Sequence, residues 1–201
     1  MDRPLIVGMG GTTRENSSTE MALELGLARA RALGAETECF AGEALDLPHY
    51  GSARANGDVR ALRLIDALRR CDGVILSSPG YHGSMSGMLK NALDYVEELR
   101  DDERPYLDGR AVGVIVGAHG AQAIGTTLVA VRSVIHALRA WPTPLGVGIN
   151  STTPAFDGAG RCLNPALAET IATMVGQVVD FARMRRAAED AECTVARAAR
   201  V

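Results

Sequence analysis

The stretch SPGYHGSMSGMLKNALDY, residues 78–95, follows the apolar run Val74-Ile75-Leu76 and decides how the rest of the chain is read. It has the form of a strand, a glycine-rich loop and an amphipathic helix. Gly80, Gly83 and Gly87 allow tight turns and a close approach of backbone to a flat ligand. Pro79 sets one torsion and removes a donor N–H at the strand exit. Tyr81 and His82 place planar, polar-tipped side chains among those glycines. Ligands of open α/β sheets sit outside the carboxyl ends of the strands, so a site is expected at this loop.

Working outward, Leu5-Ile6-Val7-Gly8 reads as a fully buried parallel strand. The loop of small and hydroxyl residues after it leads to a helix read as beginning at Met21. A helix start of this kind suits a phosphate, because its N–H groups are free and its dipole end is positive. Thr12, Ser17, Ser18 and Thr19 add hydroxyl donors and Arg14 a charged fork. The dinucleotide fingerprint fails here, since Thr13 stands where its third glycine belongs, and no lysine completes a P-loop.

Residues 36–41 alternate polar and apolar as a second strand, and residues 58–70 carry a helical stripe of Val59, Leu62, Ile65 and Leu68. The third strand, residues 71–76, bears the opening stretch, whose helix continues with Leu89, Leu93, Val96 and Leu99. A fourth strand, residues 111–116, leaves through Gly117-Ala118-His119-Gly120 toward a helix around residues 128–138. A short strand near residues 145–149 and a helix over about residues 165–186 complete the pattern. Five strands alternating with five helices specify a doubly wound α/β fold. The expected form is a three-layer sandwich: a five-stranded parallel sheet in the flavodoxin-like order 2-1-3-4-5 with helices on both faces. In that order the loops after strands one, three and four meet over one crevice.

With 47% apolar residues and no long polar tract, the 201-residue chain is read as one domain, residues 1–187, followed by a tail, residues 188–201, that either extends the last helix or frays. A net charge of −3 offers no general attraction for nucleic acid or anionic membranes. No apolar run reaches the roughly 20 residues of a membrane span and no cationic leader precedes Leu5, so a cytoplasmic protein is expected. Cys39, Cys71, Cys162 and Cys193 form no C-x-x-C, and no His/Asp/Glu spacing suggests a metal. The cysteines read as small buried hydrophobes. The first strand ends in Gly8-Met9 without the acidic pair that a magnesium-dependent phospho-acceptor would need.

Two motifs then narrow the reading: Gly11-Thr12-x-Arg14-x-x-Ser17, and Pro79-x-Tyr81-x-x-Ser84-x-x-Gly87-x-Leu89-Lys90-Asn91-Ala92-Leu93-Asp94. With them the chain resembles the NADPH-dependent FMN reductase family over roughly residues 4–182. The resemblance implies a flavodoxin-like flavoprotein that binds FMN and takes hydride from NADPH, with NADH as the alternative donor. It implies that Thr12, Arg14, Ser17, Ser18 and Thr19 hold the FMN phosphate. Pro79, Gly80, Tyr81, His82 and Gly83 would border the ribityl chain and ring, and Gly117, Ala118, His119 and Gly120 would flank the ring. The chemistry is then the cofactor's own and no catalytic triad is required. His82 and His119 are either proton donors or pocket lining, and Tyr81 either stacks on the flavin or caps the core.

The expected acceptor is FMN itself, released reduced to a partner monooxygenase. A quinone or azo compound is the alternative, and an FMN electron carrier without turnover a third reading. Arg14, Arg54 and Arg110 are candidates for a nucleotide 2′-phosphate. Lys90, Asn91 and Asp94, beside Met85, Met88, Leu89 and Tyr95, are read as a subunit-contact face, giving a homodimer or homotetramer. Trp141 is read as core, and His49 and His136 as residues without a role.

Overall fold

Strands form where apolar residues run unbroken, because a parallel sheet covered on both faces buries every side chain. The computed structural model describes residues 3–198, and in it β1 (Leu5–Gly10), β3 (Gly73–Tyr81) and β5 (Ala111–Ala118) make the sheet centre. β2 (Glu36–Phe40) pairs with β1 on one side, and β6 (Trp141–Pro142) and β7 (Val147–Asn150) both pair with β5 on the other. All of these pairings are parallel, in the order β2-β1-β3-β5-β6/β7. The expected flavodoxin-like order is therefore observed, with two additions. The fifth strand is broken in two, because Pro142 and Pro144 lack the N–H groups a continuous ladder needs. A two-residue β4 (Ser84–Met85) folds back antiparallel on β3, which brings the sheet to seven strands.

Alternation along each strand divides the core. Ile6, Ile75 and Ile115 point to one face, under α1 (Ser18–Ala32) and α5 (Pro165–Ala198), where they meet Leu23, Leu27, Ile171, Met174 and Val178. Val7, Met9, Val74, Leu76, Val112 and Val114 point to the other, under α2 (Val59–Arg70), α3 (Gly87–Asp94) and α4 (Ala121–Ala137). Each such large side chain taken from water contributes about 1.5–3 kcal/mol toward offsetting chain entropy.

Several expectations are corrected by this packing. The buried face of α2 is Ala61, Leu64, Ile65, Ala67 and Leu68, while Val59 and Leu62 are exposed. Its N-cap is Asp58, whose carboxylate accepts from Arg60 N and Ala61 N. α4 starts at Ala121, well before residue 128, and of the two alternatives for the tail the helix extension is found, since α5 runs through Ala198. Trp141 is 60% exposed, because an edge strand has no layer beyond it; its ring leans on Phe181 instead. Cys71 is buried, but Cys39 is exposed and Cys162 half-buried, while the side chain of Cys193 lies outside the described residues.

Met85, Leu89 and Tyr95 are buried within the chain and Met88 is partly buried against the same core, so these four offer little apolar surface of their own. Asn91 holds the loop before α2. Its side chain accepts from Tyr50 N at 2.9 Å and donates to Leu47 O and Pro48 O at 3.2 and 3.0 Å. Arg110 is fully buried, and its guanidinium donates to the carbonyls of Cys71, Tyr106, Asp108 and Arg69, so it is committed to the fold and unavailable to a nucleotide.

Candidate functional site

At the carboxyl end of the sheet, short hydrogen bonds tie the first loop to the third strand. Gly11 N donates to Ser77 O at 2.8 Å, and the buried Ser77 hydroxyl donates to Thr19 O at 2.7 Å. These bonds fix the first turn of α1, which begins at Ser18, three residues before the expected start. The N-cap is Ser17, yet its side chain makes no capping bond; its hydroxyl pairs with Thr19 Oγ1 at 2.8 Å instead. The chain enters through Asn16 at φ 55°, a left-handed conformation that asparagine tolerates. The opening amides of α1 are thus uncapped at the positive end of the helix dipole.

Glycine makes the close approach possible at two places. A Cβ on Gly117 would lie 2.6 Å from Thr19 Cγ2, and one on Gly80 would lie 2.8 Å from Thr127 Oγ1 and 3.1 Å from Ala118 Cβ. Beneath the second loop, the Ser78 hydroxyl accepts from Ser86 N at 2.9 Å, and the Ser86 hydroxyl accepts from Leu89 N at 3.1 Å to cap α3. The loop ahead of α3 is therefore anchored from below.

The three exits enclose a cavity of about 780 Å³. Of the residues expected in the site, Thr12, Arg14, Ser17, Ser18, Thr19, Pro79, Gly80, Tyr81, Gly117, Ala118 and His119 line it. His82, Gly83 and Gly120 do not line it. His82 and Gly83, at φ 52° and 84°, form the two-residue turn between β3 and β4, a turn with positive φ at both central residues that suits strand twist. This places them at a hairpin tip beyond the rim. Gly120, at φ 94°, is the N-cap of α4, one step behind His119. Arg54 lies in the exposed loop before α2 and is not part of the lining.

One wall has no counterpart in the sequence reading. Ser151, Thr152, Thr153, Pro154, Ala155 and Phe156, after β7, face the α1 entry across the cavity. Ser151 N donates to Ala118 O at 3.0 Å, and Asn150 Oδ1 accepts from Thr152 N, Thr152 Oγ1 and, at 3.4 Å, Gly120 N. An asparagine followed by serine and threonines at a strand end is an Asx-turn signal that marks the bend but names no ligand. Glu15, Asn16, Met21 and Ala123 complete the lining.

This donor set fits a phosphorylated flat ring. One end offers uncapped amides, hydroxyls and a guanidinium; the other offers Pro79, Gly80, Tyr81, Ala118 and His119. The size falls within the roughly 300–1,000 Å³ of small-molecule sites. The model of one family, described as NADPH-dependent FMN reductase, matches residues 4–153, three quarters of the chain. The chain belongs to the NADPH-dependent FMN reductase family. As a member it is an oxidoreductase that works with FMN and NAD(P)H.

Two relatives and one solved structure agree with this membership. An NAD(P)H-dependent FMN reductase of Pseudomonas aeruginosa is 28% identical over 174 residues, covering 83% of this chain and 88% of its own. An NADPH azoreductase of Bacillus sp. strain OY1-2 is 38% identical over 72 residues, a match covering 33% of this chain and 40% of that enzyme. Among solved structures, the flavoenzyme NAD(P)H:(acceptor) oxidoreductase FerB of Paracoccus denitrificans superposes with a TM-score of 0.70 at 24% identity. That match covers 90% of this chain and 98% of FerB and supports the flavodoxin-like fold of the reductase. Among the described residues no helix is long and apolar enough to cross a membrane.

Proposed function

We propose that the reductase binds FMN in the cavity between α1, the β3 exit and the β5 exit, passes hydride from NAD(P)H to it, and releases it reduced to a flavin-dependent monooxygenase. Bound FMN supplies the hydride-accepting chemistry. The chain's residues bind, orient and exclude water. The amides opening α1 and the hydroxyls of Thr12, Ser17, Ser18 and Thr19 would hold the phosphate, with Arg14 closing over it. Pro79, Gly80 and Ala118 would lie along the ring. Backbone N–H groups at the β3 exit would favour the negative charge that develops on reduction. Tyr81 is 55% exposed at the rim and would guide the incoming nicotinamide. His119, exposed beside it, is the remaining side-chain candidate for proton delivery, because His82 stands at the hairpin tip.

The observation that carries this reading is the convergence of an uncapped helix start and two strand exits, packed closely through Gly80 and Gly117, on one cavity. Release, as opposed to retention, is supported by Glu15, an exposed carboxylate in the lining beside the proposed phosphate ligands, where its charge opposes the pull of Arg14 on an anion. A quinone or azo reductase that retains its FMN is the second reading, favoured by the azoreductase relative from Bacillus. The two separate in one experiment. The purified chain is examined for a flavin spectrum after gel filtration, and NADPH and NADH oxidation are then followed with FMN, riboflavin, a quinone and an azo dye in turn. Loss of flavin on the column with turnover of added FMN supports the first reading; retained flavin with faster quinone or dye turnover supports the second. No flavin uptake at all removes both.

Assembly into a homodimer or homotetramer belongs to the same proposal and rests on the exposed apolar residue Val129 of α4 in place of the buried Met85, Leu89 and Tyr95. Sedimentation at a monomer mass would dismiss it.

A further inference from the structure

The wall after β7 brings one hydroxyl to the phosphate end of the cavity. Ser151 is set there by the backbone bond from its N–H to Ala118 O, and by the turn that Asn150 closes around Thr152. A Cβ on Gly117 would lie 3.7 Å from Ser18 Oγ and 3.8 Å from Ser151 Oγ, so the two hydroxyls flank one point. Thr19 Cγ2 fills that point at 2.6 Å, so a ligand held by the two hydroxyls sits on their cavity side, not at Gly117 itself. Neither hydroxyl has a hydrogen-bond partner among the described residues, whereas Ser17, Thr19 and Thr152 spend theirs on neighbours.

We infer that Ser151 is a fourth-loop ligand of a phosphomonoester, donating to one phosphate oxygen while Ser18 and the amides opening α1 donate to the others. The inference rests on the FMN reading above and adds a residue outside both sequence motifs. The placement suits it: Ser18 and Ser151 line the same cavity with both hydroxyls close to Gly117, and charge-assisted hydrogen bonds to phosphate run about 2.7–2.9 Å. Asn150 acts through Ser151 as a positioning residue, since its side chain holds the turn and reaches toward the α4 entry at Gly120 N. The result is an anion cradle with two independent walls, one from the start of the chain and one from the fifth strand.

The experiment compares dissociation constants of FMN and riboflavin, measured by quenching of flavin fluorescence, for the full-length wild type, Ser151→Ala, Ser151→Thr and Asn150→Ala. Inorganic phosphate serves as a competitor in each. Ser151→Ala is expected to weaken FMN roughly tenfold to a hundredfold while leaving riboflavin unchanged. Ser151→Thr is expected to recover most of the loss, and Asn150→Ala to narrow the FMN/riboflavin ratio in the same sense. Inorganic phosphate is expected to compete with FMN less well in Ser151→Ala than in the wild type. If Ser151→Ala weakens both flavins equally, or neither, Ser151 is not a phosphate ligand and the inference is overturned. Wild-type protein that binds neither flavin would overturn the FMN reading itself, a result distinct from the first.

Discussion

Gly117 offers the sharpest test of how the site is built. Replacing it with alanine puts a methyl 2.6 Å from Thr19 Cγ2, against an ordinary carbon contact of about 3.5–4.0 Å. Thr19 cannot turn the methyl away cheaply, because its hydroxyl is tied to Ser17 and its carbonyl to Ser77. The first turn of α1 must therefore shift by about 1 Å, at an overpacking cost of about 1–3 kcal/mol. For a chain of this size that lowers Tm by about 2–4 °C per kcal/mol. The same shift spoils at least one bond to a phosphate and weakens FMN by roughly tenfold to a hundredfold. The matched control is Gly73→Ala, whose methyl would also meet a neighbour, Val178 Cγ1, at 2.6 Å, but at the opposite end of β3. Calorimetry and FMN titration of both variants should give similar losses of Tm, with loss of affinity confined to Gly117→Ala. Equal affinity losses in the two, or wild-type affinity in Gly117→Ala despite a lowered Tm, would refute the assignment of this cradle.

Other outcomes follow from the packing. Arg110→Met strips donors from four carbonyls and should destabilise the fold by about 3 kcal/mol or more, seen as a lower urea midpoint, while the KM for NADPH stays unchanged. An increase in that KM without loss of stability would restore Arg110 as a nucleotide ligand. Asn91→Leu releases the loop at residues 47–50, and limited proteolysis should then cut between residues 48 and 58 far faster than in the wild type. The hydrogen bond from the Arg60 side chain, followed by that from Ala61 N, holds the Asp58 carboxyl below its ordinary range. A folded-state pKa below the unfolded one adds stability that is present above about pH 4 and is lost as pH falls through the folded value. The stability difference between wild type and Asp58→Ala should therefore be constant from pH 6 to 8 and shrink in acid, as read from denaturation midpoints. Burial pushes the Cys71 thiol up to about 11, so it should resist alkylation at pH 8 until the protein is unfolded.

The strands were legible because a sheet buried on both faces writes each one as a solid apolar run, as at Val74-Ile75-Leu76. The two motif loops were legible because glycine and hydroxyl residues cluster there for reasons of backbone geometry. The start of α4 was not, since Gly125, Thr126 and Thr127 are poor helix formers in isolation. Packing on the sheet overrides that preference, and Thr126 returns its hydroxyl to Gln122 O. Val59, Leu62, Ile65 and Leu68 recur at spacing i, i+3, while the helix buries Ala61, Leu64, Ile65 and Leu68, the pattern that a period of 3.6 produces. The position of His82 and Gly83 outside the lining is not legible in the sequence, because a short antiparallel return after β3 leaves little trace in composition. The wall after β7 went unread because residues 151–156 contain no glycine, and their part in the site exists only once β7 lies beside β5.

The broken fifth strand has a consequence for how copies of the protein behave in a crowded solution. A sheet margin with an unbroken row of N–H and C=O groups invites strands from other molecules to add to it. Here one margin is interrupted after Pro142 and carries a second proline at 144, so no long template is presented. The opposite margin, β2, carries charged side chains, the exposed Glu36 and Glu38 in its ion pair with Arg70, which an added strand would have to accommodate. Both borders of the sheet are thereby guarded against fibrous growth without covering either one, and the rims that carry the loops stay free for ligand traffic.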